Sequence, residues 1–360
     1  VSPLEETLIG RIRAGGPITV ADYMAAALVD PDHGYYRRAN PVGASGDFIT
    51  APEISQVFGE LIGAWMISCW QQLGCPDPVR LVELGPGRGT LLADTLRVGR
   101  FVPAWLAAIE LHLVEINPLL RRAQEERLGH YRPTWHDTPE TVRRGPMLLV
   151  ANEFLDALPI RQLAYRNRAW RERLIGWSAE RGFHFVIAQA PSALSLLIPT
   201  GLESAAEGAI FELSPAAIDL VARLSRRLVA DGGAALLIDY GRSSTDVGDT
   251  LQAMHEHRMV QSLAAPGQAD LSAHVDFSAV NRTAREAGAD VYGPVTQTTF
   301  LKTLGIDARA DTLKSAASSG QSELIDLAVR RLTDPSEMGE LFKALAISAG
   351  GIIPPGFPIY

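Results

Sequence analysis

The stretch "VRLVELGPGRGTLLADTLR", residues 79–97, constrains this chain more than any other. An apolar run short enough for a buried strand enters three alternate glycines, Gly85, Gly87 and Gly89, and leaves as a helical pattern. The rhythm then repeats. "IELHLVEINP" reads as a second strand, "LLRRAQEERLG" as a helix, and "RPTWHD" as a weak third strand. "GPMLLVANEF" holds a fourth strand. "GAALLIDYG" holds a fifth, behind the helical pattern of "SPAAIDLVARLSRRLVADGG". Strands alternating with helices predict an α/β fold with a mostly parallel sheet covered on both faces.

The alternation is interrupted once. "IRQLAYRN", "WRERLIGWS" and "GFHFVIA" follow a period of two and predict antiparallel hairpins inserted between the fourth and fifth strands. The expected organisation has three parts. Residues 1–75 form a helical cover and a helix leading into the core. Residues 76–160 and 211–360 form the core, with loop-rich and helical C-terminal additions. Residues 161–210 form the inserted antiparallel subdomain.

With 360 residues, 47% of them hydrophobic, the chain is long enough to bury a large core. Its net charge of −8 argues against a general binder of nucleic acid or anionic membranes. No run of 18 apolar residues predicts a membrane-spanning helix. No signal peptide is visible, and the chain begins at Val1 rather than Met, which leaves room for an N-terminal piece. Cys69 and Cys75 are read as a core thiol and a loop thiol of a reducing compartment, not a zinc site or a disulfide framework. The close histidines of "HEH", His255 and His257, lack a third ligand at metal spacing. His274 is read as a structural or pocket histidine.

The glycine spacing decides between ligand classes. Here it is E-x-G-x-G-x-G, with Glu83 on the strand, and the last glycine comes one residue too early for the dinucleotide fingerprint. Glycines at such a turn let main-chain atoms approach a ligand closely. Glu115 closes the second strand, where a carboxylate can accept both hydrogen bonds of a ribose diol. Asp137 follows the third strand, where it or its backbone could read an adenine amino group. Together these resemble a class I methyltransferase that uses S-adenosyl-L-methionine as donor.

A second acidic group follows the fourth strand. "ANEFLDALPIRQ" places Asn152, Glu153 and Asp156 at or just beyond the strand's carboxyl end, where open α/β sheets bind ligands. A sulfonium donor and a guanidinium acceptor are both cations, so bringing them together in a dry site is costly. Carboxylates at Glu153 and Asp156 would offset that repulsion and orient the guanidinium by paired hydrogen bonds. A turn capped by Asn152 or Asp156 and ended by Pro159 is the structural alternative. Such chemistry needs no metal.

Upstream, "GDFITAPEISQVFGE" has two halves. Thr50 and Glu53 have the spacing of a capping box, with Pro52 in the first turn, which predicts one helix from about Ala51 to Leu73 and gives Glu53 a capping role. Asp47, between Gly46 and Phe48, has no such explanation. This segment is expected to fold over the sheet's carboxyl edge and close the donor pocket.

"HGYYRR", "SGDFITAPEISQVFGELIG", "LVELGPGRGTL", "ANEFLDALP", "LIDYG" and "AHVDF…TQTTFLKTLGI" occur in one order across residues 33–306. The chain closely resembles the S-adenosylmethionine-dependent methyltransferase family once called domain of unknown function 185, which includes the mitochondrial complex I assembly arginine methyltransferase and its bacterial homologues. The resemblance implies a Rossmann-like fold with an added substrate subdomain and transfer of a methyl group to a protein arginine, with a respiratory complex I subunit as a candidate partner. On the donor side it points to Gly85, Gly87, Gly89 and Glu115, joined by Glu83, Pro86, Ile116, Asp137, Asn152, Gly46 and Phe48. On the acceptor side it points to Asp47, Glu153 and Asp156. The location would be cytoplasmic for a bacterial chain and the mitochondrial matrix for eukaryotic relatives. Small-molecule methylation and a non-catalytic assembly factor that keeps a donor-binding fold are the alternatives. A nicotinamide dehydrogenase fits less well, because the glycine spacing is wrong and no catalytic Tyr-Lys pair is seen.

Overall fold

The structure is a computed structural model that describes residues 1–38 and 50–358. Seven strands form its central sheet: β1 (Val79–Leu84), β2 (Ile109–Val114), β3 (Thr134–His136), β4 (Met147–Asn152), β5 (Gly233–Arg242), β6 (Asp290–Thr296) and β7 (Phe342–Ala349). Their spatial order is β6-β7-β5-β4-β1-β2-β3, with Val275–Asp276 adding a short parallel pairing to β5. The pairings from β3 through β5 are all parallel. β7 runs antiparallel to both of its neighbours, β5 and β6. β1 and β4 are buried at nearly every position, as strands covered on both faces must be.

The C-terminal part is helical over Ile306–Lys314, Ser319–Thr333 and Met338–Leu341, as expected, and β7 adds a strand that the sequence reading did not give it. Its "FKALAISA" is Ala-rich and carries no turn signal that would separate strand from helix. Filling the gap between β5 and β6 decides its conformation.

Four helices position the cleft: α1 (Gln56–Gln72), α2 (Thr90–Gly99), α3 (Pro118–Leu128) and α4 (Pro215–Asp231). Val57, Phe58, Leu61, Ile62, Trp65, Met66, Cys69 and Trp70 give α1 an apolar face in the main core. Each such side chain, fully buried, contributes about 1.5–3 kcal/mol. α1 lies close against α2, because a Cβ at Gly59 would stand 2.6 Å from the Cβ of Asp94. Buried Glu60 of α1 then pairs with Arg97 at 2.9 Å and with Arg309 of the helix Ile306–Lys314 at 2.6 Å.

The single helix from Ala51 to Leu73 is not formed. A short helix, Ala51–Ile54, is followed by extended Ser55, whose hydroxyl accepts the N–H of Val57 at 3.2 Å and starts α1. Thr50 makes no side-chain capping bond. The capping box fails because Glu53 turns away, to the Thr90 hydroxyl at the start of α2.

The alternating segments after β4 form a separate antiparallel sheet. Ala169–Ser178 pairs with Arg161–Arg166, with Gly182–Ile187 and with Ile18–Thr19 from the N-terminal part, and Ile210–Leu213 pairs with Arg161–Arg166. The "HEH" region, within the additions expected to be loop-rich, is a hairpin. Gln252–His255 and Arg258–Val260 are joined by Glu256 and His257, both at positive φ. Asp270–Ser272 completes this small sheet.

Candidate active site: an acid-lined cleft at the carboxyl edge of the sheet

A cleft of about 450 Å³ opens at the carboxyl ends of β1, β2, β3 and β4. Parallel strands pointing the same way deliver their following loops to one edge, so residues distant in sequence meet there. β1 delivers the glycine turn. Gly85, Gly87 and Gly89 all take positive φ, at 62°, 54° and 76°. At Gly85 a Cβ would lie 2.9 Å from Cδ2 of Phe154, so the turn needs glycine both for conformation and for space. Gly89 starts α2 with no side-chain cap, which leaves the helix's first N–H groups available.

Glu83, at the end of β1, is 3% exposed and lines the cleft. Its Oε2 has no hydrogen-bond partner. Burial, and then the nearby Glu115, push its carboxyl up to about 8. Glu115 follows β2 and is also buried, which raises it to about 7. Its Oε1 accepts the N–H of Asn117 at 2.8 Å, and the amide of Gln124 reaches Oε2 only at 3.4 Å, leaving acceptor capacity toward the cleft. The neighbouring Ile116 lines the cleft and its carbonyl accepts from Arg37 at 3.1 Å. Asp137 reaches the cleft rim, but its side chain is 75% exposed and paired with Arg121 at 2.6 Å.

β4 ends in Asn152, whose Oδ1 is buried without a partner and whose Nδ2 donates to Glu153 Oε1 at 3.1 Å. Glu153 takes a left-handed backbone, φ 51°, which turns it out of the strand and onto the cleft wall. Its Oε1 also accepts the N–H of Ala51 at 3.2 Å, so this carboxylate, rather than Thr50, serves the start of the short helix. Burial, then Asp156, push the Glu153 carboxyl up to about 8. Asp156 is buried but does not line the cleft. It lies behind the wall, with its N–H donating to Asp239 at 3.2 Å. The pairing of Glu153 with Asp156 at the acceptor face, expected from sequence, is therefore split into one front and one rear carboxylate.

Gly46, Asp47 and Phe48 lie outside the described residues. Glu53, assigned above to capping, lines the cleft instead, beside Arg88 at 3.9 Å. Tyr36 and Phe154 also line it, each from a motif quoted for the resemblance, whereas Arg223 of α4 arrives only through the fold. His274 stands outside the cleft, edge-on to Tyr240 with ring centroids 5.5 Å apart. Cys69 is buried and Cys75 exposed, both as free thiols. Among the described residues no cluster of three His, Cys, Asp or Glu is placed to hold a metal, and no helix is long and apolar enough to cross a membrane.

The cleft suits a donor that is cationic at sulfur and amine and carries a ribose. It offers two unpartnered buried oxygens, on Glu83 and Asn152, a strand-end carboxylate with spare acceptor capacity, and a turn that excludes any Cβ at Gly85. This arrangement on a seven-stranded sheet with one reversed strand defines a class I methyltransferase. Residues 61–295 match the family described as "Putative S-adenosyl-L-methionine-dependent methyltransferase". The chain belongs to that family and is an S-adenosylmethionine-dependent methyltransferase. It is 37% identical to the Drosophila melanogaster "Protein arginine methyltransferase NDUFAF7 homolog, mitochondrial", over 96% of this chain and 85% of that protein. It is 36% identical to the human "Protein arginine methyltransferase NDUFAF7, mitochondrial", over 96% of this chain and 83% of that protein. A superfamily member from Burkholderia thailandensis, solved bound to S-adenosyl-homocysteine, superposes with a TM-score of 0.87 at 30% identity, covering 98% of this chain and 93% of that one.

One expectation follows for the donor side. Glu115→Gln keeps the bulk but removes charge, and should weaken S-adenosyl-homocysteine binding about 10- to 100-fold, the loss expected for charge-assisted hydrogen bonds. Calorimetry checks it. An affinity unchanged from wild type would remove Glu115 from the donor's contacts.

Proposed function

We propose that the chain methylates an arginine side chain of a protein, with Glu153 on the acceptor side of the cleft. One observation carries this reading: Glu153 presents a partly buried carboxylate at the cleft wall, on the loop that packs against the glycine turn through Phe154. Bound S-adenosylmethionine supplies an electrophilic methyl group on a sulfonium cation. The glycine turn and the uncapped start of α2 suit the donor's carboxylate. Glu83 and Asn152 suit its ammonium group, Glu115 its ribose, and Ile116 and Asp137 its adenine.

A guanidinium entering beside that donor adds a second positive charge. An ionised Glu153 offsets the repulsion and aligns the planar group by charge-assisted hydrogen bonds, and the proton that the nitrogen loses on methylation passes to the same carboxylate. The relatives named as arginine methyltransferases support the same acceptor. A respiratory complex I subunit, implied by the sequence resemblance, is the proposed partner. The inserted antiparallel sheet is proposed to carry part of the partner's docking surface. For a bacterial chain the proposed location is the cytoplasm, while the curated relatives cited are named mitochondrial.

The test is incubation of the protein with methyl-labelled S-adenosylmethionine and a cell extract, followed by separation of macromolecular from small-molecule label. Label in protein is the expected result. Label confined to small molecules would overturn the protein acceptor, and no transfer with intact donor binding would favour the assembly-factor alternative.

A further inference from the structure

The "LIDYG" strand end has no role in the donor or acceptor contacts described so far. Its residues instead stand directly behind the loop that carries Glu153. Asp239, 1% exposed, accepts three successive backbone N–H groups on one oxygen: Phe154 at 3.1 Å, Leu155 at 2.9 Å and Asp156 at 3.2 Å. Its other oxygen accepts the N–H of Tyr240 at 2.9 Å. A carboxylate that receives four N–H donors is fixed as an acceptor, and it fixes the donors in turn. Burial, then the charge of nearby Asp156, raises the Tyr240 hydroxyl. The Tyr240 ring is held edge-on between His274 and Phe342, with ring centroids 5.5 Å away on each side. The same loop is also held at Glu153 N–H, by the carbonyl of Ile238 at 2.9 Å, and at the Asp156 carbonyl, by the N–H of Ala273 at 3.0 Å.

We propose that Asp239 is a positioning residue for methyl transfer: it clamps the backbone of residues 154–156, so that Glu153 is held in its left-handed conformation facing the cleft. The proposal rests on the acceptor-side reading of Glu153 given above. It follows from an asymmetry of the site. Glu153 occupies a backbone region that a β-carbon disfavours, and such a conformation persists only where the surroundings over-determine it. The three bonds to Asp239 supply that constraint. Their loss should therefore misplace Glu153 while leaving Glu83 and Glu115 in place. Misplacement by about 1 Å is enough to cost about 100-fold in rate.

The experiment uses Asp239→Asn and Glu153→Gln in the full chain. Binding of S-adenosyl-homocysteine is read by calorimetry, folding by thermal melting, and the initial rate of label transfer from saturating S-adenosylmethionine into extract protein by filter counting. Asp239→Asn keeps the size of the side chain but puts an amide where the loop's N–H groups need acceptors. It should transfer methyl about 100-fold more slowly while binding S-adenosyl-homocysteine within about threefold of wild type. If Asp239→Asn does not fold, Asp239→Glu, which keeps the charge but displaces it by one methylene, is read in the same way. If the variant transfers at the wild-type rate while Glu153→Gln is inactive, the positioning role is overturned and the acceptor reading survives. If Glu153→Gln transfers normally, the acceptor reading itself fails. If donor affinity in the Asp239 variant falls in step with the rate, the residue supports the fold generally and the proposal is likewise overturned.

Discussion

Glu153→Gln should slow methyl transfer to protein about 1,000-fold at pH 8, while S-adenosyl-homocysteine binds within about threefold of wild type. The size follows from the chemistry. Removing one partner of a desolvated, hydrogen-bonded charge pair costs about 2–5 kcal/mol, and 4 kcal/mol of barrier is about 1,000-fold in rate. The glutamine keeps an oxygen for the N–H of Ala51, so the start of the short helix is preserved. Donor affinity is spared because the glycine turn, Glu83 and Glu115 sit on other strand ends, and the glutamine keeps an oxygen for the neighbouring Asn152 Nδ2.

The same carboxyl sets a pH dependence with a defined sign. Burial holds Glu153 at about 8 in the folded chain, above the ordinary carboxylate value it takes when unfolded. Between about 4.5 and 8 the folded state keeps a proton that the unfolded state has released. Stability from this group is therefore full below about pH 4.5 and is lost as pH rises through about 8. Transfer to a cationic acceptor requires the ionised form, so the wild-type rate should rise with pH, with a midpoint at or below about 8 because bound cations favour the charge. Glu153→Gln should lose that rise and should gain melting temperature relative to wild type as pH increases. A wild-type rate flat from pH 5 to 9 would contradict the assignment.

Gly85→Ala should have the second-largest effect, cutting S-adenosyl-homocysteine affinity about 100-fold and lowering the melting temperature by several degrees. Its φ of 62° costs a β-carbon about 1–2 kcal/mol. The new methyl would also stand 2.9 Å from Phe154, whose ring is part of the cleft wall. Either Phe154 swings into the donor space or the turn withdraws from it. Both outcomes weaken binding by about 3 kcal/mol, which is about 100-fold. Calorimetry and thermal melting on the same sample check this, and wild-type affinity would show that the turn yields without touching the donor.

Much of this was legible in the sequence because βα units announce themselves locally. Glycine spacing, strand ends and acids in register with them placed Glu83, Gly85, Glu115, Asn152 and Glu153 at one edge. Failures arose where tertiary contacts outweighed local pattern. Thr50 and Glu53 have capping-box spacing, yet Glu53 gains more from Thr90 and Arg88 than from its own helix. Glu256 and His257 form a tight turn with neither Asn nor Gly to signal it. Asp156 shares a loop with Glu153, but its rear position depends on Asp239, a residue 83 positions later that no local pattern connects to it.

The central claim is that this cleft delivers a methyl group to arginine. The direct test is acid hydrolysis of extract protein labelled by the wild-type chain, with the methylated amino acid identified by mass spectrometry and volatile label counted separately. Methylated arginine, absent from the Glu153→Gln control, is the predicted result. Label on lysine or another side chain, or label released as methanol from a carboxyl ester, would contradict it.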